Sequence, residues 1–182
     1  MLLPLVSEAR DPLGSMGMIR FNFLHPPFNN EKLRRAVMYA VDQKDYVIGI
    51  AGDPKNGKPC YSYFTCGTPL SSEVGAEPLK GKRDLAKASQ LVKESGYKGE
   101  KVVIIDATDQ PIVHSQSLLT LENLKKIGIN AEIQAGDWGT LITRRAVLGV
   151  DTGSDVAVAS AVPLVRGNDW EAMRVSMAGE WL

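Results

Sequence analysis

The chain has 182 residues, 44% hydrophobic and 23% charged, the balance of a globular domain long enough to bury a core and not of a disordered or fibrous chain. Lys plus Arg and Asp plus Glu number 21 each, so no net field favours a phosphate backbone or an anionic membrane surface, and nucleic acid is not an expected partner. No apolar run approaches the roughly 20 residues that span a bilayer, and the opening MLLPLVSEARDPLGSMG lacks the basic start, apolar stretch and small-residue cleavage site of an export signal.

In chain order, MIRFNF sets Ile19, Phe21 and Phe23 against Arg20 and Asn22, the period of a half-buried strand. Pro26 and Pro27 then predict an extended loop, with Asn29 or Asn30 as the N-cap of a helix. In that helix Leu33, Ala36, Val37, Ala40, Val41 and then Val47 or Ile48 recur at intervals of three and four, leaving Lys32, Arg34, Arg35, Asp42 and Lys44 to solvent. From Gly49 to Lys82 the chain is rich in Gly, Pro, Ser and Lys without sustained periodicity, a long loop expected to be functional or cross-braced. Leu85, Ala88, Leu91 and Val92 mark a second helix that stops at Gly96. KVVIID reads as a buried strand, VHSQSLLTLENLKKIG as a helix closed by Gly128, and INAEIQA as another strand. Strand, helix and strand within residues 101–135 form a βαβ unit with parallel strands, so the fold class is α/β.

Cys60 and Cys66 enclose five residues in CYSYFTC, while His25 and His114 lie far off without the paired spacing of a zinc site. Two free thiols stay possible on this spacing alone, and a thiol enzyme would need an activating base beside one of them. Tyr61, Tyr63 and Phe64, with Thr65 between Phe64 and Cys66, either line a ligand cleft or cover a small core. Trp138 follows Asp137, a plausible N-cap, and heads DWGTLITRR, where it serves packing or ligand contact. Paired carboxylates in a recognisable context, a phosphate-cradling glycine loop and a Ser-His-Asp arrangement are all missing from the sequence. No catalytic residue, metal or cofactor is expected.

FNFLHPPFNNEKLRRAVMYAVDQKDYV, then DLAKASQLVKESGY, VVIIDATDQP and LENLKKIGINAEIQAGDWGTLITRR, resemble in order and spacing the second half of the extracytoplasmic solute-binding proteins of ABC importers for peptides, nickel and related solutes (family 5). The resemblance runs from about Asp11 to Arg145. It implies one lobe of a two-lobed, periplasmic-binding-protein-like (type II) clamp that closes on its ligand by hinge motion. It further implies a periplasmic or extracytoplasmic parent, a di- or oligopeptide-like solute, permease subunits as partners and no enzymatic activity. On this reading residues 1–182 are a single partial domain, residues 1–18 are the tail of the hinge and first lobe, and residues 150–182 are an atypical C-terminal segment that departs from the family pattern. An exported parent favours a Cys60–Cys66 disulfide over free thiols. The candidate cleft residues are Tyr63, Phe64, Thr65 and Trp138. The alternatives are an α/β hydrolase or thiol enzyme, which fold alone does not exclude, and a truncated remnant without a transport role.

Overall fold

The computed structural model describes residues 16–22, 25–53, 57–62, 64, 66–147 and 155–161. Four strands form one sheet in the order β1-β4-β2-β3: β1 is Met16–Phe21, β2 Val102–Ala107, β3 Ala131–Gly136 and β4 Asp155–Ala161. β2 pairs in parallel with β3, Val102 opposite Ala131 through Ala107 opposite Gly136, as the strand–helix–strand pattern predicts. β4 inserts between β1 and β2, antiparallel to the first and parallel to the second.

β4 belongs to the stretch set apart above as atypical, and the reading placed no strand there. DVAVASA has no polar–apolar alternation to signal one, as is usual for a strand inside a mostly parallel sheet with helices on both faces.

Helices lie on both faces. α4, Pro111–Lys126, links β2 to β3, and α5, Trp138–Val147, leads from β3 back towards β4. Alternate residues of β2 point to opposite faces; Asp106 meets His114 of α4, whereas Ile105 and Ala107 pack with Leu141 of α5. The two helices therefore lie on opposite sides of β2, which is buried along nearly its whole length.

The main core joins the α4 side of the sheet to α1, Glu31–Ala40, and α3, Leu85–Glu94. Leu33, Ala36, Val37 and Ala40 of α1 meet Ala88, Leu91 and Val92 of α3 over Val102, Ile104 and Leu124. Phe28 is fully buried and stacks at 4.6 Å on Phe21, fastening β1 to the start of α1.

Three local expectations are corrected. The prolines do not hold the chain extended: Pro26–Pro27 is a cis bond inside a turn closed by Asn29 N donating to His25 O and Asn30 N to Pro27 O. The long helix breaks in two. Val41 is extended, and Asp42, assigned above to a solvated face, is the N-cap of α2, Gln43–Ala51, accepting from Lys44 N. A carboxylate that satisfies a new helix start competes with continuing the old one. Arg34 also leaves the solvated face, donating to the Phe28 carbonyl at 2.7 Å.

Candidate functional site

In open parallel sheets, ligands meet the protein outside the carboxyl ends of the strands, where the connecting turns gather. Here the turns after β2 and β3 are bound to each other. Thr108 donates through its N–H (3.0 Å) and its hydroxyl (3.3 Å) to the Gly136 carbonyl. One residue on, Asp109 Oδ1 accepts from the Trp138 N–H at 2.9 Å. Asp137 then caps α5, its Oδ1 accepting from Thr140 N at 2.9 Å and its Oδ2 from the Thr140 hydroxyl at 2.6 Å. That hydroxyl, and then the Thr140 N–H, hold the Asp137 carboxyl below the usual carboxylate range. Trp138 is half-buried against Ile105, Ala107, Val113 and Leu141.

Beneath these turns α4 turns polar residues inward. Asp106 is fully buried, and its Oδ2 lies 2.6 Å from His114 Nδ1. Gln116, Ser117, Thr120 and Asn123 are buried as well. Ser117 and Thr120 spend their hydroxyl protons on the Val113 and Gln116 carbonyls of their own helix. Tyr46 of α2 pairs with Thr120 at 3.0 Å and accepts from Asn123 Nδ2 at 3.2 Å, and Arg83 bridges Asn123 to Asp45. Burial pushes the Tyr46 hydroxyl pKa up, against those two hydrogen bonds. Among the described residues, Asp106 Oδ1 and both polar atoms of Gln116 have no hydrogen-bond partner. Sequence reasoning passed over this seam, although Gln116, Thr120 and Asn123 recur at helical spacing and were its visible signal.

Cys60 and Cys66 are joined, with Cα atoms 5.8 Å apart. The Gln43 side chain brackets Cys60, accepting from its N–H at 2.8 Å and donating to its carbonyl at 2.9 Å. The Phe64 carbonyl lies 3.9 Å from Cys60 Sγ, a contact and not a hydrogen bond, because a bonded sulfur carries no proton. Tyr63 and Thr65 lie outside the described residues.

Cys60 is thus fastened to the first turn of α2. That helix runs antiparallel to α4: Tyr46 meets Thr120 and Asn123, while Gly49 lies under Leu119 and Ser115. The anchor of the loop faces the C-terminal half of α4, and Trp138 sits by its N-terminal turns, against Val113. Cys60 and Trp138 are therefore tied to two separate places.

Chemically, the strand-end site offers an indole face, carboxylates and a hydroxyl. Asp106 orients His114 as a base would be oriented, but the buried Ser117 and Thr120 hydroxyls of α4 donate to backbone carbonyls of their own helix. Among the described residues no three His, Cys, Asp or Glu side chains gather as a metal site, and no helix is long and apolar enough to cross a membrane.

Residues 3–162 match the model of the bacterial extracellular solute-binding proteins, family 5 Middle. The chain belongs to that family. The matched span contains the four strands and five α-helices of the described residues, β4 included. A similar curated family relative is the probable peptide ABC transporter periplasmic-binding protein of Sinorhizobium fredii, 34% identical over 98% of this chain and 35% of its own length. Among solved structures, the ABC transporter substrate-binding protein CtaP of Listeria monocytogenes superposes with a TM-score of 0.72 at 24% identity, over 83% of this chain and 30% of that one. The dipeptide binding protein of Pseudoalteromonas sp. SM9913, in complex with Met-Leu, gives 0.64 at 24%, over 81% and 28%. At these identities the structural likeness is one of fold. The chain spans about a third of the length of the relatives it matches.

Proposed function

We propose that this chain forms part of the second lobe of the solute-binding protein of an ABC importer, which captures a di- or oligopeptide-like solute outside the cytoplasmic membrane for hand-over to permease subunits. Capture needs enclosure and directed hydrogen bonds, without bond making or breaking. The observation that carries the reading is the locked pair of turns after β2 and β3, which hold Trp138 at the strand ends of a family 5 fold. Trp138, with Thr108 beside it, is taken as the wall that meets the solute. The loop of Tyr63, Phe64 and Thr65 is assigned to bracing, because Cys60 anchors it to the first turn of α2, towards the other end of α4 from Trp138.

A hydrolase or thiol-enzyme reading has less support. Both cysteines are spent in one bond, and no nucleophile joins the Asp106–His114 pair among the described residues.

The test is isothermal titration with di- and tripeptides of the 182-residue chain and of the same chain joined to the flanking segments of the Sinorhizobium fredii relative. A closed clamp holding a peptide at micromolar Kd has about −8 kcal/mol, and removing one wall weakens it to millimolar or beyond. Micromolar binding by the joined protein and little by the chain alone is the expected result. Submicromolar binding by the short chain would show that the site lies wholly within it, and no peptide binding by the joined protein would overturn the peptide reading.

A further inference from the structure

We propose that Asp109 is a positioning residue for Trp138, setting the indole at the strand ends through a bond between turns 29 residues apart. The role rests on the reading of Trp138 as the solute-facing wall. The first N–H groups of a helix have no partner within it. In α5 two carboxylates divide this work. Asp137, the neighbour in sequence, takes the Thr140 N–H, and Asp109, from the turn after β2, takes the N–H of Trp138 itself.

The two bonds differ in consequence. The Asp137 bond closes the first turn of α5 upon itself and would form in an isolated helix. The Asp109 bond ties the backbone of the indole-bearing residue to the end of β2, the strand whose Ile105 and Ala107 are the floor under the ring. Thr108, next to it, fixes the same two turns through Gly136. Since a few tenths of an ångström at a backbone are amplified at the far edge of an indole, the acceptor at position 109 decides how the ring face meets a solute.

The measurement uses Trp138 as its own reporter. The chain has three tryptophans, so Trp170→Phe and Trp181→Phe leave Trp138 as the single fluorophore. In that background Asp109→Ala is expected to move Trp138 emission to longer wavelength and lower its anisotropy. Asp109→Asn, whose side-chain carbonyl still accepts the N–H, is expected to keep both. Thr140→Val weakens the same helix start through Asp137 alone and should leave the indole signals in place. If Asp109→Ala lowers thermal stability too far to fold, Asp109→Ser, a shorter side chain with a hydroxyl acceptor, is read instead and should fall between Asn and Ala.

Unchanged emission and anisotropy in Asp109→Ala, or equal shifts in the Ala and Asn variants, would overturn the inference. So would Thr140→Val reproducing the Ala effect, since any weakening of α5 would then suffice. The solute reading is tested separately by adding Met-Leu to the joined protein described above, with every tryptophan but Trp138 changed to Phe. Should the variants behave as expected while the dipeptide binds the joined protein and leaves Trp138 unmoved, the positioning stands and the solute contact falls.

Discussion

Gln116 is 1% exposed with neither its amide oxygen nor its amide nitrogen partnered among the described residues, and β1 makes room for it with a glycine. A Cβ on Gly17 would lie 2.7 Å from Gln116 Nε2 and 3.3 Å from Ile50 Cδ1. Gly17→Ala therefore forces the amide at the end of the Gln116 side chain to move, and urea denaturation should show a loss of about 1 kcal/mol, the low end of the usual cost of overpacking. Gln116→Met should have the opposite sign. An apolar side chain of similar length removes two polar atoms that are buried without a partner, which amounts to a gain of up to about 1–3 kcal/mol. A clear loss of stability in Gln116→Met would mean that the amide is bonded in solution. The seam was hard to read in the sequence because the leucines of α4 do not mark one face, Leu121 and Leu124 packing with the main core and Leu118 standing out from it. Leu124 is buried, but Leu118 is 48% exposed, and the buried face is that of Val113, Gln116, Ser117, Thr120, Asn123 and Leu124. Trp138 was legible from the Asp137 cap next to it. Asp109 was not, because its bond crosses between turns 29 residues apart and has no local signature.

Among the elements, those that follow one periodic pattern between clear stops were legible. The β2–α4–β3 unit stands as read, with Gly128 at a φ of 87° ending the helix as a residue without Cβ can. Joins escaped where one residue type serves two purposes. Asp42 continues the polar face of a long helix and equally starts a new one, and the cap won. α5 gives this a measurable form. The Asp137 carboxyl is held below its ordinary range by Thr140, so ionised Asp137 stabilises the fold above the ordinary carboxylate pKa, and the contribution fades as pH falls through the lower folded value. Asp137→Asn keeps a capping oxygen but loses the charge and the acceptor for the Thr140 hydroxyl. Denaturation from pH 7 down to pH 2 should therefore show a stability gap between wild type and variant that is present at neutral pH and closes in acid. A gap that widens in acid would assign the shift to another group.

For the molecule as a whole, the disulfide and the surface set its behaviour in solution. The Cys60–Cys66 bond closes a short loop, with a separation of 6 residues, and such a loop contributes about 2 kcal/mol by limiting the unfolded chain. The double variant Cys60→Ser, Cys66→Ser should lose about that much, and equal melting of oxidised and reduced wild type would deny the bond a stabilising part. The outer surface has a different problem. Leu70 and Val74, on the loop beyond the disulfide, are 66% and 72% exposed, and Ile48 and Ile112 are also exposed, on a chain whose formal net charge is zero at pH 7. Single exposed apolar residues are ordinary; without net charge to keep copies apart, they attract. The 182-residue chain is thus expected to self-associate at neutral pH and to disperse at pH 9, where it is negative. Sedimentation velocity across a concentration series at both pH values measures this, beside the variant Leu70→Lys, Val74→Lys, which adds two charges where the exposed apolar side chains are largest. If that variant associates at pH 7 as the wild type does, the loop is not the contact; if neither associates, the neutral surface is sufficiently polar as it stands.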